Sequence, residues 1–138
     1  MKYLSNKNGF LGIDNKFDIK QKSVVIPFGL EKTVSYGGGT KNGPKEIIKA
    51  SHQVELYDEE LNCEPYKKIG IKTLKPFKID KHINKALKKI SKINEEILSK
   101  KILADDKYFI WEIFTFDSAQ IAEIICKSSG DCAIIFFK

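Results

Sequence analysis

The sequence predicts an α/β fold built on a parallel sheet, and three observations carry that prediction. The apolar runs Ser23–Phe28, Tyr108–Phe114 and Cys132–Phe137 lack polar alternation, the pattern of strands buried on both faces. Stretches with apolar residues at helical spacing stand between these runs. A glycine-rich loop leaves the first run and opens a helix, as a strand-to-helix crossover requires.

In chain order, residues 1–21 are polar and mixed, with Phe10-Leu11-Gly12-Ile13 as their apolar anchor. They are expected to wrap the surface with little regular structure. Ser23–Phe28 is the first strand, with Pro27 marking its end. It delivers Tyr36-Gly37-Gly38-Gly39-Thr40-Lys41-Asn42-Gly43-Pro44 at its C-terminal edge, the edge at which open α/β sheets bind ligands. Three consecutive glycines permit positive φ and close approach by another backbone or a ligand. Pro44 suits the first helical position, where no N–H is needed, and Ile47, Ile48 and Ala50 are expected to pack inward from the short helix that follows. A phosphate cradle of the Walker type needs Gly-Lys-Ser/Thr at the helix entrance. Here Pro44 stands where a donating amide would face a phosphate, so the loop reads as a shaped structural or active-site-rim loop.

Val54–Tyr57 and Ile69–Thr73 read as extended segments around the acidic turn Asp58-Glu59-Glu60. Those three acids are contiguous and cannot converge on one metal, so a solvated turn is expected. Asp80 is a good N-cap, and Ile83, Ala86, Leu87, Ile90, Ile93 and Ile97 then recur at helical spacing, with Lys81, Lys85, Lys88, Lys89 and Lys92 on the other side. Tyr108–Phe114 is the second buried strand. Asp117-Ser118-Ala119-Gln120 is a capping box opening a helix that Gly130 closes, and Cys132–Phe137 is the third strand.

At 138 residues the chain is of single-domain size. The formal net charge is +6, and all 24 basic residues are lysine. Arginine is the usual bidentate partner of guanine and phosphate, so its absence argues against a sequence-specific nucleic-acid reader. Between Tyr66 and Lys101, 12 lysines face Asp80, Glu95 and Glu96, a local charge of +9 that leaves −3 on the rest of the chain. Such a stripe attracts polyanions non-specifically, and no aromatic residues interleave it for base stacking. Cys63, Cys126 and Cys132 show no paired spacing, so neither a disulfide framework nor a zinc ribbon is indicated. The N-terminal residues lack an apolar signal core and no apolar run is long enough to span a bilayer. A soluble cytoplasmic protein without membrane contact is the expectation.

The string Thr33–Ser51, followed by His52-Gln53-Val54-Glu55-Leu56-Tyr57-Asp58-Glu59-Glu60-Leu61, Glu64-Pro65-Tyr66 and Gly70-Ile71-Lys72-Thr73-Leu74, closely resembles the N-terminal part of the agmatinases, in the ureohydrolase (arginase) family. The resemblance covers about Phe10 to Ile102 and is looser beyond. It implies a partial three-layer parallel sheet with helices on both faces. It further implies that residues 1–138 form one truncated ureohydrolase-like domain: 1–21 a surface segment, 22–102 the best-matching part and 103–138 a diverged part. Tyr36, Gly37, Gly38, Gly39, Thr40, Gly43 and Pro44 would then form an active-site rim.

The family reaction is manganese-dependent hydrolysis of agmatine to putrescine and urea, with two manganese ions held by histidine and aspartate side chains. The first family histidine, in Gly-Gly-Asp/Glu-His-Ser, would follow the strand matched by Tyr108–Ile110. This chain has Trp111-Glu112-Ile113-Phe114-Thr115-Phe116 there. The Asp-Ala-His-x-Asp motif would follow Ala133–Phe137, where only Lys138 stands. His52 and His82 have no second ligand at i+3 or i+4, so no catalytic or metal-ligating residue is assigned and no cofactor is expected in this chain. The expectation is an agmatinase-like fragment that does not turn over by itself. The alternative is a non-catalytic subunit that forms homo- or hetero-oligomers with an intact ureohydrolase through family-like surfaces, and a weaker alternative is a lysine-rich polyanion binder. A strand left at the open edge of an unfinished sheet also leads us to expect an oligomeric, partly unfolded or insoluble isolated protein.

Overall fold

The computed structural model describes residues 1–13, 21–32, 37–99, 109–115 and 134–137. Strands β1 (Gln21–Phe28), β2 (Gly70–Thr73), β3 (Phe109–Thr115) and β4 (Ile134–Phe137) form one sheet in the order β2-β1-β3-β4. All three pairings are parallel, as predicted. Helix α1 (Gly43–Ala50) follows β1, and α2 (Ile83–Ser99) lies between β2 and β3.

Side chains alternate between the two faces of β1, and the two helices divide them. Val24, Ile26 and Phe28 pack with Leu74 and with Ala86, Ile90 and Ile97 of α2, and all seven are buried. Val25 faces the other way, against Ile48 of α1 with Phe10, Ile47 and Ile71 around it. Removing each large apolar side chain from water contributes about 1.5–3 kcal/mol, so the α2 side holds most of the described core. This is the three-layer arrangement expected. Ala50, expected to pack inward, is exposed because α1 is only two turns long and ends as its stripe leaves the sheet.

Pro27 lies inside β1 and does not mark its end. In a strand, the peptide groups of residues two apart point to the same side. The Val25 carbonyl accepts the Leu74 amide at 2.9 Å, so the nitrogen of Pro27 faces the β2 side as well. The pairing with β2 stops at Val25–Thr73, while β1 continues beside β3 to Phe28. The missing N–H therefore has no ladder partner to lose.

The N-terminal residues are more ordered than their composition implied. Tyr3 bridges Leu74 in antiparallel fashion, and the Leu4 amide donates to the Thr73 carbonyl at 2.8 Å, covering the outer edge of β2. Two short 3₁₀ turns follow, at Asn6–Asn8 and Phe10–Gly12. The Phe10 amide donates to Thr73 Oγ1 at 2.9 Å and the Leu11 amide to Ser51 Oγ at 2.9 Å, tying this segment to β2 and to the end of α1.

Val54–Tyr57 joins no strand. Asp58 instead bridges Cys63, and Asp58 Oδ1 accepts the Leu61 amide at 2.9 Å, closing the acidic segment into the expected exposed turn. Asp80 Oδ1 accepts the His82 amide at 2.8 Å, while the His82 carbonyl accepts the Lys85 and Ala86 amides, each at 3.0 Å. Asp80 thus shapes the turn that leads into α2, two residues ahead of the N-cap position at His82. Cys63 is a free, half-buried thiol. No helix among the described residues is long and apolar enough to cross a membrane. The helix expected from Asp117 to Gly130, together with Cys126 and Cys132, lies outside the described residues.

Candidate functional site

The C-terminal end of β1 and the glycine-rich loop meet through a residue pair that the sequence did not single out. Gly29 follows directly after β1, and a β-carbon placed on it would overlap the carbonyl oxygen of Lys41. The backbone of the loop therefore lies against the backbone at the strand end. The close approach anticipated for the triple glycine occurs here. Gly37 and Gly39 instead have open space where a β-carbon would stand, and their role is conformational, with φ of +69° and +124°. Gly38 is not in the left-handed region and has only Glu31 Oε1 nearby, at 3.6 Å.

Glu31 is the second residue missed. Its Oε2 accepts the Gly39 amide at 2.5 Å and the Lys41 amide at 3.3 Å, and its Oε1 lies 3.7 Å from Lys41 Nζ. These bonds hold the Glu31 carboxyl below the usual glutamate range, the Gly39 amide foremost and the Lys41 amide next, against a smaller opposing effect of desolvation. Two loop amides, those of Gly39 and Lys41, are thus occupied by a carboxylate of the chain itself. A carboxylate three residues beyond a strand end, ahead of a glycine run, is the signal that would have pointed to it.

Thr40 opens a 3₁₀ turn through Asn42, and the Gly43 amide donates to the Thr40 carbonyl as that turn becomes α1. Pro44 is the second residue of α1 and is buried. Tyr36, the remaining predicted rim residue, lies outside the described residues. Beside the loop is an open cleft of about 400 Å³, walled by Pro27, Gly29, Pro44, Ile48 and Phe77 and edged by Lys41 and Lys45. Among the described residues lining it there is no carboxylate and no histidine. It can hold an apolar body, but it offers no acid–base pair.

The two histidines of the chain are not brought together. His52 follows α1, and its Nε2 donates to the Gly9 carbonyl at 2.9 Å; a carbonyl can only accept, which fixes the tautomer. Its ring also fills the space that a β-carbon on Gly12 would need. His82 is exposed at the entrance to α2. Among the described residues, no group of three or more His, Cys, Asp and Glu side chains is placed to hold a metal ion.

A parallel, three-layer α/β sheet with a shaped loop at the C-terminal end of its first strand is therefore the class of protein defined here. The chain belongs to the arginase family: the family model matches residues 21–110, from β1 into the start of β3. It is also similar to the N(1)-aminopropylagmatine ureohydrolase of Synechocystis sp., with 45% identity over 53 residues. That stretch is 38% of this chain and only 17% of the relative. No solved structure matches the chain significantly. The described residues do not fit a pair of manganese ions, because the His52 ring is bonded to backbone and no group of three or more His, Cys, Asp and Glu side chains gathers among them.

Proposed function

We propose that this chain is the sheet-and-rim portion of an agmatinase-like ureohydrolase, contributing β1, the glycine-rich loop and the helices that support them, and that by itself it does not hydrolyse agmatine. The placement of His52 carries this reading. It is one of only two histidines, and its ring is committed to anchoring the Gly9–Gly12 segment. The sequence along β3 agrees with it. Where the agmatinase-like pattern would supply a glycine pair and a histidine, this chain runs Trp111-Glu112-Ile113-Phe114. Hydrolysis by a metal-bound hydroxide needs ligands that converge from several strand ends, and these residue types supply one carboxylate at most. The family match and the named activity of the Synechocystis relative support the ureohydrolase origin; the agmatine-like substrate class comes from the resemblance. Equilibrium dialysis of the purified chain against Mn²⁺, followed by metal analysis, tests the reading. Less than about a tenth of an ion per chain is expected, and two tightly held ions would overturn it.

A second reading, a non-catalytic subunit that docks on an intact ureohydrolase, is supported by the segment after α1. Val54, Tyr57 and Leu61 expose 56%, 51% and 67% of their surfaces within eight residues. Large apolar side chains so exposed fit a surface that a partner covers. Co-purification with an intact agmatinase, lost on Leu61→Asp and Val54→Asp, would favour this reading over an unpartnered fragment.

A further inference from the structure

Helix α2 presents two opposite faces. At about 100° per residue, Ala86, Ile90 and Ile97 mark the side buried against β1, and Lys85, Lys88 and Lys92 fall within about 60° of the opposite direction. Lys81 stands just before the first turn, and all four lysines are exposed. Lys89, Lys67 and Lys41, by contrast, have partners of their own. Lys89 Nζ donates to the Lys78 carbonyl at 2.6 Å and lies 5.1 Å from the centroid of the Phe77 ring. Lys67 pairs with Glu64 and Lys41 with Glu31. No ion pair to Lys81, Lys85, Lys88 or Lys92 occurs among the described residues.

The anions around the stripe lie at its ends. Asp80 is close enough to Lys85 to feel its charge, but its carboxylate holds the His82 amide. Glu95 sits beyond Lys92 with Ser91 Oγ 3.5 Å away, and Glu96 lies 3.9 Å from the N-terminal amine.

We propose that this face of α2 binds the phosphate backbone of double-stranded nucleic acid without reading its sequence. Lys85 to Lys92 spans about 10 Å of helix axis, while each strand of a duplex carries one phosphate per about 3.4 Å, so about three phosphates of one strand face Lys85, Lys88 and Lys92, with a fourth in reach of Lys81. No arginine is present to make bidentate base contacts, and the polar positions beside the lysines on this face are Asn84 and Ser91, with Glu95 one turn beyond Lys92, none of which offers a ring for stacking on unpaired bases. The described exposed large apolar residues are Met1, Val54, Tyr57 and Leu61, none of them on α2, so the stripe has nothing to insert into a membrane.

Fluorescence anisotropy with a labelled mixed-sequence DNA duplex of about 20 base pairs and the full chain tests this directly. Three or four phosphate contacts give a log–log salt slope of about −2.7 to −3.6, a loss of roughly 40- to 150-fold between 50 and 200 mM salt. Lys85→Gln/Lys88→Gln/Lys92→Gln should weaken binding at least tenfold at 50 mM salt and flatten the slope. Lys7→Gln/Lys45→Gln/Lys49→Gln, which removes the same charge elsewhere, should change it less than threefold. Lys88→Gln alone should reduce the slope by about one, which keeps the test intact if the triple variant folds poorly. No binding at 50 mM salt, equal losses in the two triple variants, or tighter binding to poly-glutamate or to anionic vesicles than to the duplex would each overturn the proposal.

Discussion

The Gly39 amide donates to Glu31 Oε2 at 2.5 Å, so the carboxylate just beyond β1 closes the glycine-rich loop onto the strand that leads into it. The Lys41 amide and ammonium join the same carboxylate. The depressed pKa of Glu31 fixes the sign of its pH dependence. Its contribution is fully present above the ordinary glutamate pKa of the unfolded chain and is lost as pH falls through the lower value of the folded state. The protection factors of the Gly39 and Lys41 amides, followed by NMR hydrogen exchange on acidification and corrected for intrinsic rates, should fall in that window. Glu31→Gln should show fast exchange at neutral pH already. Asp80 is also held low, chiefly by the His82 amide, so comparison with Glu31→Gln separates the loop from the general acid response.

Gly29→Ala is expected to destabilise the fold by about 1–3 kcal/mol, because the new β-carbon meets backbone that cannot rotate away. Gly38→Ala should stay within about 0.5 kcal/mol, having ordinary φ and only a flexible carboxylate nearby. Urea denaturation of the two variants side by side measures the difference.

Gly39→Ala tests conformation without crowding. Nothing lies within 4 Å of the new β-carbon, yet φ of +124° is a region that alanine avoids. A loss of about 1–3 kcal/mol is expected from strain alone. If Gly39→Ala and Gly38→Ala melt together, the loop has another conformation available.

These two glycine predictions also mark what could be read in the sequence and what could not. The β1 run, the periodicity of α2 and the parallel order were legible because burial on both faces and a 3.6-residue repeat leave direct traces in residue type. Pro27 misled because its tolerance depends on β2 ending at Thr73, far along the chain from the proline itself. The roles of Gly29 and Glu31 were hidden for the same reason: one is a contact between backbones and the other a side chain bonded to amides, and neither leaves a repeating pattern. The triple glycine was visible as a special loop, but its division into conformational and merely small positions required φ angles.

His52→Ala should lower stability by about 1 kcal/mol through loss of the Gly9 hydrogen bond and of the ring beside Gly12. Hydrogen exchange should rise locally at the Phe10 and Leu11 amides, which the same segment presents to Thr73 and Ser51. Ile90→Ala, in the α2 core, should cost about 2–5 kcal/mol and affect the whole fold cooperatively. Equal effects of the two substitutions on the Gly9–Gly12 amides would contradict a local anchoring role for His52.

The most direct test of a sheet-and-rim portion without its own catalytic centre is urea release from agmatine by the purified chain in saturating Mn²⁺. The expected result is a rate equal to the protein-free blank, unchanged by a chelator and unchanged in His52→Ala. Urea formation above the blank that a chelator abolishes would contradict it.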